Sequence, residues 1–254
     1  MSEPTPTIRA NGVRAIVLDI EGTTTPIAFV HDVLFPFARA HLAAHLREAR
    51  GTDELREVAS RLAVEHAADL ERGEQPPPWR AGNEAETIES IEAYACWLMD
   101  RDRKSPGLKL LQGRIWDAGY RTGHLRGEVF PDVGPAIQRW RAAGLTIAIY
   151  SSGSVLAQRL LFGSTAQGDI TELINDFFDT DMGPKTSAAS YVRIAAALGL
   201  RPDQILFVSD AVAELVAARA AGLQVLLSSR PGNAPQPDAA AFEAITGFDR
   251  IRPS

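Results

Sequence analysis

Four short apolar runs, each cut off by polar residues, give this chain its frame. They are Ala15-Ile16-Val17-Leu18, Thr146-Ile147-Ala148-Ile149-Tyr150, Ile205-Leu206-Phe207-Val208 and Val225-Leu226-Leu227. Short runs rich in branched side chains predict strands buried on both faces. Helical patterns follow or separate them: Val155–Phe162, about Ala188–Leu198, and the alanine-rich Ala211–Ala221. Gly144, Gly163, Gly199 and Gly222 each close a helical pattern, where glycine ends a helix without a Cβ penalty. Strands alternating with helices of this size predict parallel βαβ units and an α/β fold. Between about Pro26 and about Arg126 the period changes. Leu55, Val58 and Leu62, then Ile88, Ile91, Ala95 and Leu98, recur at helical spacing, and Gln75-Pro76-Pro77-Pro78-Trp79 splits the stretch into two halves. This predicts a helical insert between the first strand and the rest of the sheet. The proline-bearing tail from about Gly232 predicts loop with one short helix.

Composition narrows the classes. Hydrophobic residues make up 45% of the 254 positions and charged ones 23%, which excludes a wholly disordered chain. A net charge of -6 argues against a broad nucleic-acid or anionic-membrane surface, yet leaves room for a small anion held by local donors. With Cys96 as the one cysteine, no intramolecular disulfide can form, and the residue reads as a small buried hydrophobe. Met1–Thr7 lacks the basic start and apolar core of a signal peptide, and no apolar run approaches a membrane span. A cytoplasmic protein is expected.

Polar groups sit where the runs end. Asp19 and Glu21 follow the first, Ser151 and Ser152 the second, and Asp210 the third, with Glu214 one helical turn later. A parallel sheet brings all its carboxyl ends to one edge, so these groups can share a crevice. Taken alone, Asp19 also fits an aspartate that only caps the next element. Clustered carboxylates repel unless a cation neutralises them, and oxygen donors of this type suit Mg²⁺. Ser151-Ser152-Gly153-Ser154 opens a helix, as an anion site or as plain caps. Lys185, just before a helix, reads as solvated or as a phosphate ligand, and Glu214 as a helix-face acid or an orienter of water. His31, His124 and Trp116 read as substrate-binding residues or, more simply, as ordinary surface or packing side chains.

The ordered set Asp19, Ser151, Lys185, Asp210 resembles the signature of the haloacid dehalogenase superfamily. The resemblance narrows over nearly the whole chain. Asp19-Ile20-Glu21-Gly22-Thr23-Thr24-Thr25-Pro26-Ile27, Leu34-Phe35-Pro36, Leu111-Gln112-Gly113-Arg114-Ile115-Trp116, Val129-Phe130-Pro131-Asp132-Val133 and Tyr150-Ser151-Ser152-Gly153-Ser154 look like the enolase-phosphatases of methionine salvage. Glu21 departs from the aspartate of many superfamily phosphatases, and the enolase-phosphatases share it. Ser105-Pro106-Gly107 leads into the Leu111 stretch through residues that look ill suited to a helix.

The resemblance implies a Rossmann-like haloacid dehalogenase core, a parallel sheet flanked by helices, over residues 1–25 and 127–254. A helical cap is implied over residues 26–126. It also implies one Mg²⁺ per chain, held by Asp19, the backbone carbonyl of Glu21 and Asp210. Asp19 is then the nucleophile, Glu21 a proton-handling acid or base, Lys185 a catalytic and phosphate-binding cation, and Ser151 and Ser152 phosphate ligands. The implied reaction converts 2,3-diketo-5-methylthiopentyl-1-phosphate to the acireductone and phosphate. The expected partner is that small phosphorylated diketone, with no nucleic acid, no membrane and a monomeric chain. The alternatives are another small-molecule phosphatase on the same scaffold without enolase activity, and a non-catalytic protein retaining the fold.

Overall fold

Among the residues that the computed structural model describes, eight strands, β1 (Ile8–Ala10), β2 (Ala15–Leu18), β3 (Thr146–Tyr150), β4 (Asp176–Phe178), β5 (Ile205–Ser209), β6 (Gln224–Ser228), β7 (Ala244–Ile245) and β8 (Ile251–Pro253), form two sheets. The structure describes residues 8–10, 12–103 and 105–253; Met1–Thr7, the stretch read for a signal peptide, and Lys104 lie outside them. The main sheet has the order β4-β3-β2-β5-β6-β7, and every pair in it is parallel. All four residues of β2 are fully buried at 0% exposure, which is why the strand reads as an unbroken apolar run. Leu18 lies opposite Ile149 on one side and Val208 on the other. Asp19, Tyr150 and Ser209 therefore leave the sheet at one level. The chain winds toward β3 and β4 on one side of β2 and toward β5, β6 and β7 on the other, so β2 is the topological switch point where a crevice opens.

The chain divides into two compact units, residues 1–31 with 126–254 and residues 32–125. The second holds α1 (Phe35–Glu48), α2 (Asp53–Glu71), α3 (Glu84–Met99) and α4 (Pro106–Arg121). The apolar residues picked out by spacing, Leu55, Val58, Leu62, Ile88, Ile91, Ala95 and Leu98, are all buried. Thr52, Asn83 and Ser105 each cap a helix by accepting a backbone N–H. The lead into α4 is thus favourable: Ser105 is the cap, Pro106 fills the first turn, and a Cβ on Gly107 would stand 2.8 Å from Leu62. Trp116 packs here and donates to the Leu34 carbonyl at 2.8 Å, and His124 bonds Thr122 at 2.9 Å. Cys96, on α3, is half-buried rather than buried. Asp69, fully enclosed, accepts from Tyr94 at 2.5 Å, from Arg103 at 2.8 Å and from Arg72. Burial alone would raise its pKa, but these donors outweigh it and hold the carboxyl below the usual carboxylate range.

The first unit adds α5 (Val133–Ala142), α6 (Val155–Gly163), α7 (Ala188–Ala197) and α8 (Val212–Ala220). Ala15 and Val17 of β2 join Tyr150, Ile205 and Phe207 in a core closed by Tyr191 and Ile194 of α7 and Leu215 of α8. Gly144, Gly199 and Gly222 follow the caps of α5, α7 and α8 with positive φ. Gly163 does not: it is the last residue of α6, and Ser164 caps that helix. The tail also differs from its sequence reading. Besides short 3-10 turns it contributes β7 to the main sheet and β8, which pairs in parallel with β1. Among the described residues no helix is long and apolar enough to cross a membrane.

Candidate active site

Asp19 leaves β2 into a turn built from its own neighbours. The N–H groups of Thr23, Thr24 and Thr25 all converge on the Ile20 carbonyl at 2.9–3.2 Å, and Gly22 N–H donates to Thr25 at 2.9 Å. The Glu21 carbonyl is left out of this pattern. Thr24 adds a side-chain bond to the Asp19 carbonyl at 3.1 Å. Gly22 has φ +65°, which an L side chain rarely adopts. The turn is clamped from the far end of the chain. Ser228 and Asn233 donate to the Gly22 carbonyl at 3.1 and 2.9 Å, and Arg230 donates to the Thr23 carbonyl at 3.2 Å. Arg230 is itself fixed by Asp132 at 3.0 Å and by the rings of Phe130 and Phe248.

The Asp19 carboxylate does not cap a helix. It points at Lys185, whose Nζ lies 2.5 Å from Asp19 Oδ1 and 2.7 Å from Glu214 Oε2. Ser209 bonds Glu214 at 2.8 Å and reaches Asp19 Oδ2 at 3.4 Å. Glu214 is therefore not a free helix-face acid; it is the second anion around Lys185. The lysine is buried, which alone would lower its pKa, but the two carboxylates raise it above its ordinary value and keep it charged. Its loop is held in place: Tyr191 donates to the Lys185 carbonyl at 2.6 Å, Ser190 to that of Pro184 at 2.8 Å, and Tyr150 to that of Gly183 at 2.8 Å.

Asp210 follows β5 and faces Gly22. A Cβ on that glycine would lie 2.3 Å from Asp210 Oδ2, so the carboxylate occupies space that only glycine leaves open. Burial, and then the charges of Asp19 and Glu214, push the Asp210 pKa up to about 7. Among the described residues no three His, Cys, Asp or Glu side chains gather as a metal cluster. What Asp19, Asp210 and the Glu21 carbonyl offer is an oxygen set with two carboxylates, which fits Mg²⁺ with several waters and does not fit zinc.

Residues 13–222 match the profile of the haloacid dehalogenase-like hydrolases. An enolase-phosphatase E1 from Synechococcus elongatus is 52% identical over 94% of this chain and 98% of its own. The chain belongs to the haloacid dehalogenase-like hydrolases, among the enolase-phosphatases. It also matches a bifunctional methylthioribulose-1-phosphate dehydratase/enolase-phosphatase E1 from Vitis vinifera, at 49% identity over 94% of this chain, but spans only 47% of that relative's length. A solved structure, the UTR4 protein of Saccharomyces cerevisiae, superposes with a TM-score of 0.74 at 33% identity, covering 93% of this chain and 99% of that one.

In this haloacid dehalogenase-like hydrolase the sequence-picked residues divide into those in direct contact and those nearby. Asp19 and Lys185 are bonded, and Asp210 stands against Gly22. Ser151 and Ser152 follow β3, the neighbour of β2, and bond to neither Asp19 nor Lys185. Ser151 is buried and accepts the Gly153 N–H at 3.2 Å, while Ser154 caps α6. Ser154 is thus a cap, while Ser151 braces the turn that precedes the helix. The Glu21 side chain pairs with His31 at 2.8 Å, and both are partly exposed. His31, read as an ordinary histidine, thus touches a candidate site residue. Ser209, Arg230 and Asn233 carried no signal of their own, because their partners lie far away in sequence.

Proposed function

We propose that this chain converts 2,3-diketo-5-methylthiopentyl-1-phosphate to the acireductone and phosphate, as an Mg²⁺-dependent enolase-phosphatase of methionine salvage. The observation that carries this reading is the bonded pair Asp19–Lys185 at the switch point of the sheet, in a chain 52% identical to an enolase-phosphatase over 98% of that relative's length. Asp19 attacks phosphorus as a carboxylate nucleophile, the bond from phosphorus to the substrate's ester oxygen breaks, and that oxygen leaves as a hydroxyl with the proton Glu21 holds after enolisation. Water then hydrolyses the acyl phosphate and frees Asp19. Lys185 shifts from its ion pair toward the phosphate and offsets the charge that builds on its oxygens. Ser151 and Ser152 hold the remaining phosphate oxygens with hydroxyl and backbone N–H groups. Glu21, hydrogen-bonded to His31, takes the carbon-bound proton during enolisation. One Mg²⁺ per chain, held by Asp19, the Glu21 carbonyl and Asp210, supplies Lewis-acid polarisation and charge neutralisation when bound. Residues 26–126 make up the helical cap domain, and residues 1–25 and 127–254 the phosphatase core. With its net charge of -6 the protein works on this small substrate as a cytoplasmic monomer, without nucleic acid or membrane.

The test is a dual readout on the diketone phosphate, following enol absorbance and phosphate release with Mg²⁺ present and after chelation. Both signals are expected to require the metal, and Asp19→Asn is expected to abolish phosphate release with an unchanged circular dichroism spectrum. Phosphate release without a preceding enol leaves a plain small-molecule phosphatase. Substantial release by Asp19→Asn overturns the nucleophile.

A further inference from the structure

Asn233 has one end spoken for and one end left over. Its Nδ2 donates to the Gly22 carbonyl at 2.9 Å and to the Ser228 carbonyl at 3.2 Å. Two carbonyl acceptors demand the NH₂ at that end, so the side-chain orientation is fixed by chemistry. The other end, Oδ1, is buried and has no hydrogen-bond partner in the protein. A buried acceptor without a donor costs roughly 1–3 kcal/mol, so its persistence calls for an explanation.

The surroundings of Oδ1 supply one. It lies 3.0 Å from the point that a Cβ on Gly22 would occupy, and Asp210 Oδ2 lies 2.3 Å from the same point. Two oxygen acceptors thus crowd the same side of Gly22, where only a glycine leaves room for them. With Asp210 ionised, as a carboxylate that holds a cation must be, neither can satisfy the other. A water can donate one proton to each while its own lone pair faces a cation, and Mg²⁺ characteristically keeps several such waters.

We infer that Asn233 is a positioning residue for the cation site. Its Oδ1 accepts a hydrogen bond from a water in the hydration shell of the divalent cation held by Asp19 and Asp210. The inference rests on the metal reading given under Proposed function. It adds a residue from the loop after β6 to a site otherwise formed by the ends of β2 and β5. Partners of this kind orient the shell, and their loss typically lowers metal affinity about 10–100-fold.

The experiment is Mg²⁺ titration calorimetry on the full chain without substrate, comparing wild type, Asn233→Ala and Ser228→Ala. Ser228→Ala removes the other side-chain bond to the same Gly22 carbonyl and leaves Oδ1 in place. The expected result is a Kd for Mg²⁺ raised at least about tenfold in Asn233→Ala and within about twofold of wild type in Ser228→Ala. Equal weakening in both variants overturns the inference, because the effect then runs through the Gly22 turn. A wild-type Kd in Asn233→Ala overturns it too. If wild type itself binds no Mg²⁺, the metal reading falls first, which is a distinguishable failure. Should Asn233→Ala not fold, wild-type protein carrying isotope-labelled asparagine gives the same decision. The Asn233 side-chain amide resonance must move with Mg²⁺ at the calorimetric Kd, and a stationary resonance overturns the inference.

Discussion

Replacing Gly22 by alanine tests whether the position of Asp210 governs the chemistry. Two costs arise together. The backbone there has φ +65°, and holding an L residue in that region costs about 1–2 kcal/mol. The new Cβ would also stand 2.3 Å from Asp210 Oδ2 and 2.6 Å from its Cγ. Ordinary van der Waals contact begins about 1 Å further out, so the carboxylate must move by roughly that distance. A 1 Å misplacement in a catalytic constellation costs on the order of 10²-fold in rate. Gly199 separates the two effects. It shares φ +65° but has nothing within 4 Å of a built Cβ. Gly199→Ala is expected to lose the same 1–2 kcal/mol, a fall in Tm of about 2–8 °C, with phosphate release on a generic aryl phosphate unchanged. Gly22→Ala is expected to lose about 10²-fold in that release at saturating Mg²⁺, with a Tm at least as low. If Gly22→Ala keeps a rate within about threefold of Gly199→Ala, the carboxylate's position is not what the reaction needs, and the reasoning fails.

Two further outcomes are expected. Glu21→Gln keeps the backbone carbonyl proposed to hold Mg²⁺ and removes the carboxylate that pairs with His31; enol formation should slow about 10²–10⁴-fold in stopped-flow absorbance while calorimetric Mg²⁺ affinity stays within about twofold. Unchanged rates for both steps would remove Glu21 from the mechanism, and lost Mg²⁺ affinity would show that its side chain holds the metal. Asp69→Asn should cost about 2 kcal/mol in urea unfolding at neutral pH, since the carboxylate receives bonds from Tyr94, Arg103 and Arg72. Because the folded pKa lies below the unfolded one, that stabilisation is complete above about pH 4 and is lost as pH falls through the folded value. The gap between variant and wild type should therefore close in acid; a constant gap from neutral to strongly acidic pH excludes the charge as its source.

The strands that position the site were legible because they are enclosed on both faces. Ala15–Leu18 and Thr146–Tyr150 begin and end where the apolar runs do. Asp176–Phe178 and Ala244–Ile245 were not, since two or three residues carry no period and their strand character comes from the neighbour they pair with. The same division holds for the chemistry. Asp19, Asp210 and the serines were visible because each adjoins the end of a readable strand. The partnership of Glu214 with Lys185 was not, because a side-chain bond between a loop and a helix leaves no periodic trace. Neither was the clamp on Gly22 by Ser228 and Asn233, which crosses almost the whole length of the chain. The tail containing it reads as prolines and glycine, and only folding shows what it holds.

The central place of β2 has a consequence for how the protein comes to exist on the ribosome. Its four apolar residues are made before both strands that flank them, Thr146–Tyr150 and Ile205–Ser209, which are translated only after the whole of residues 32–125. At about 5–20 residues per second the first flanking strand appears some ten seconds later. Through that interval the segment that will carry the Asp19 carboxylate is a bare, sticky ribbon. The helices of residues 32–125, whose contacts are local, can condense while it waits. Synthesis thus runs opposite to the architecture: the innermost strand of the main sheet is made before either strand that encloses it.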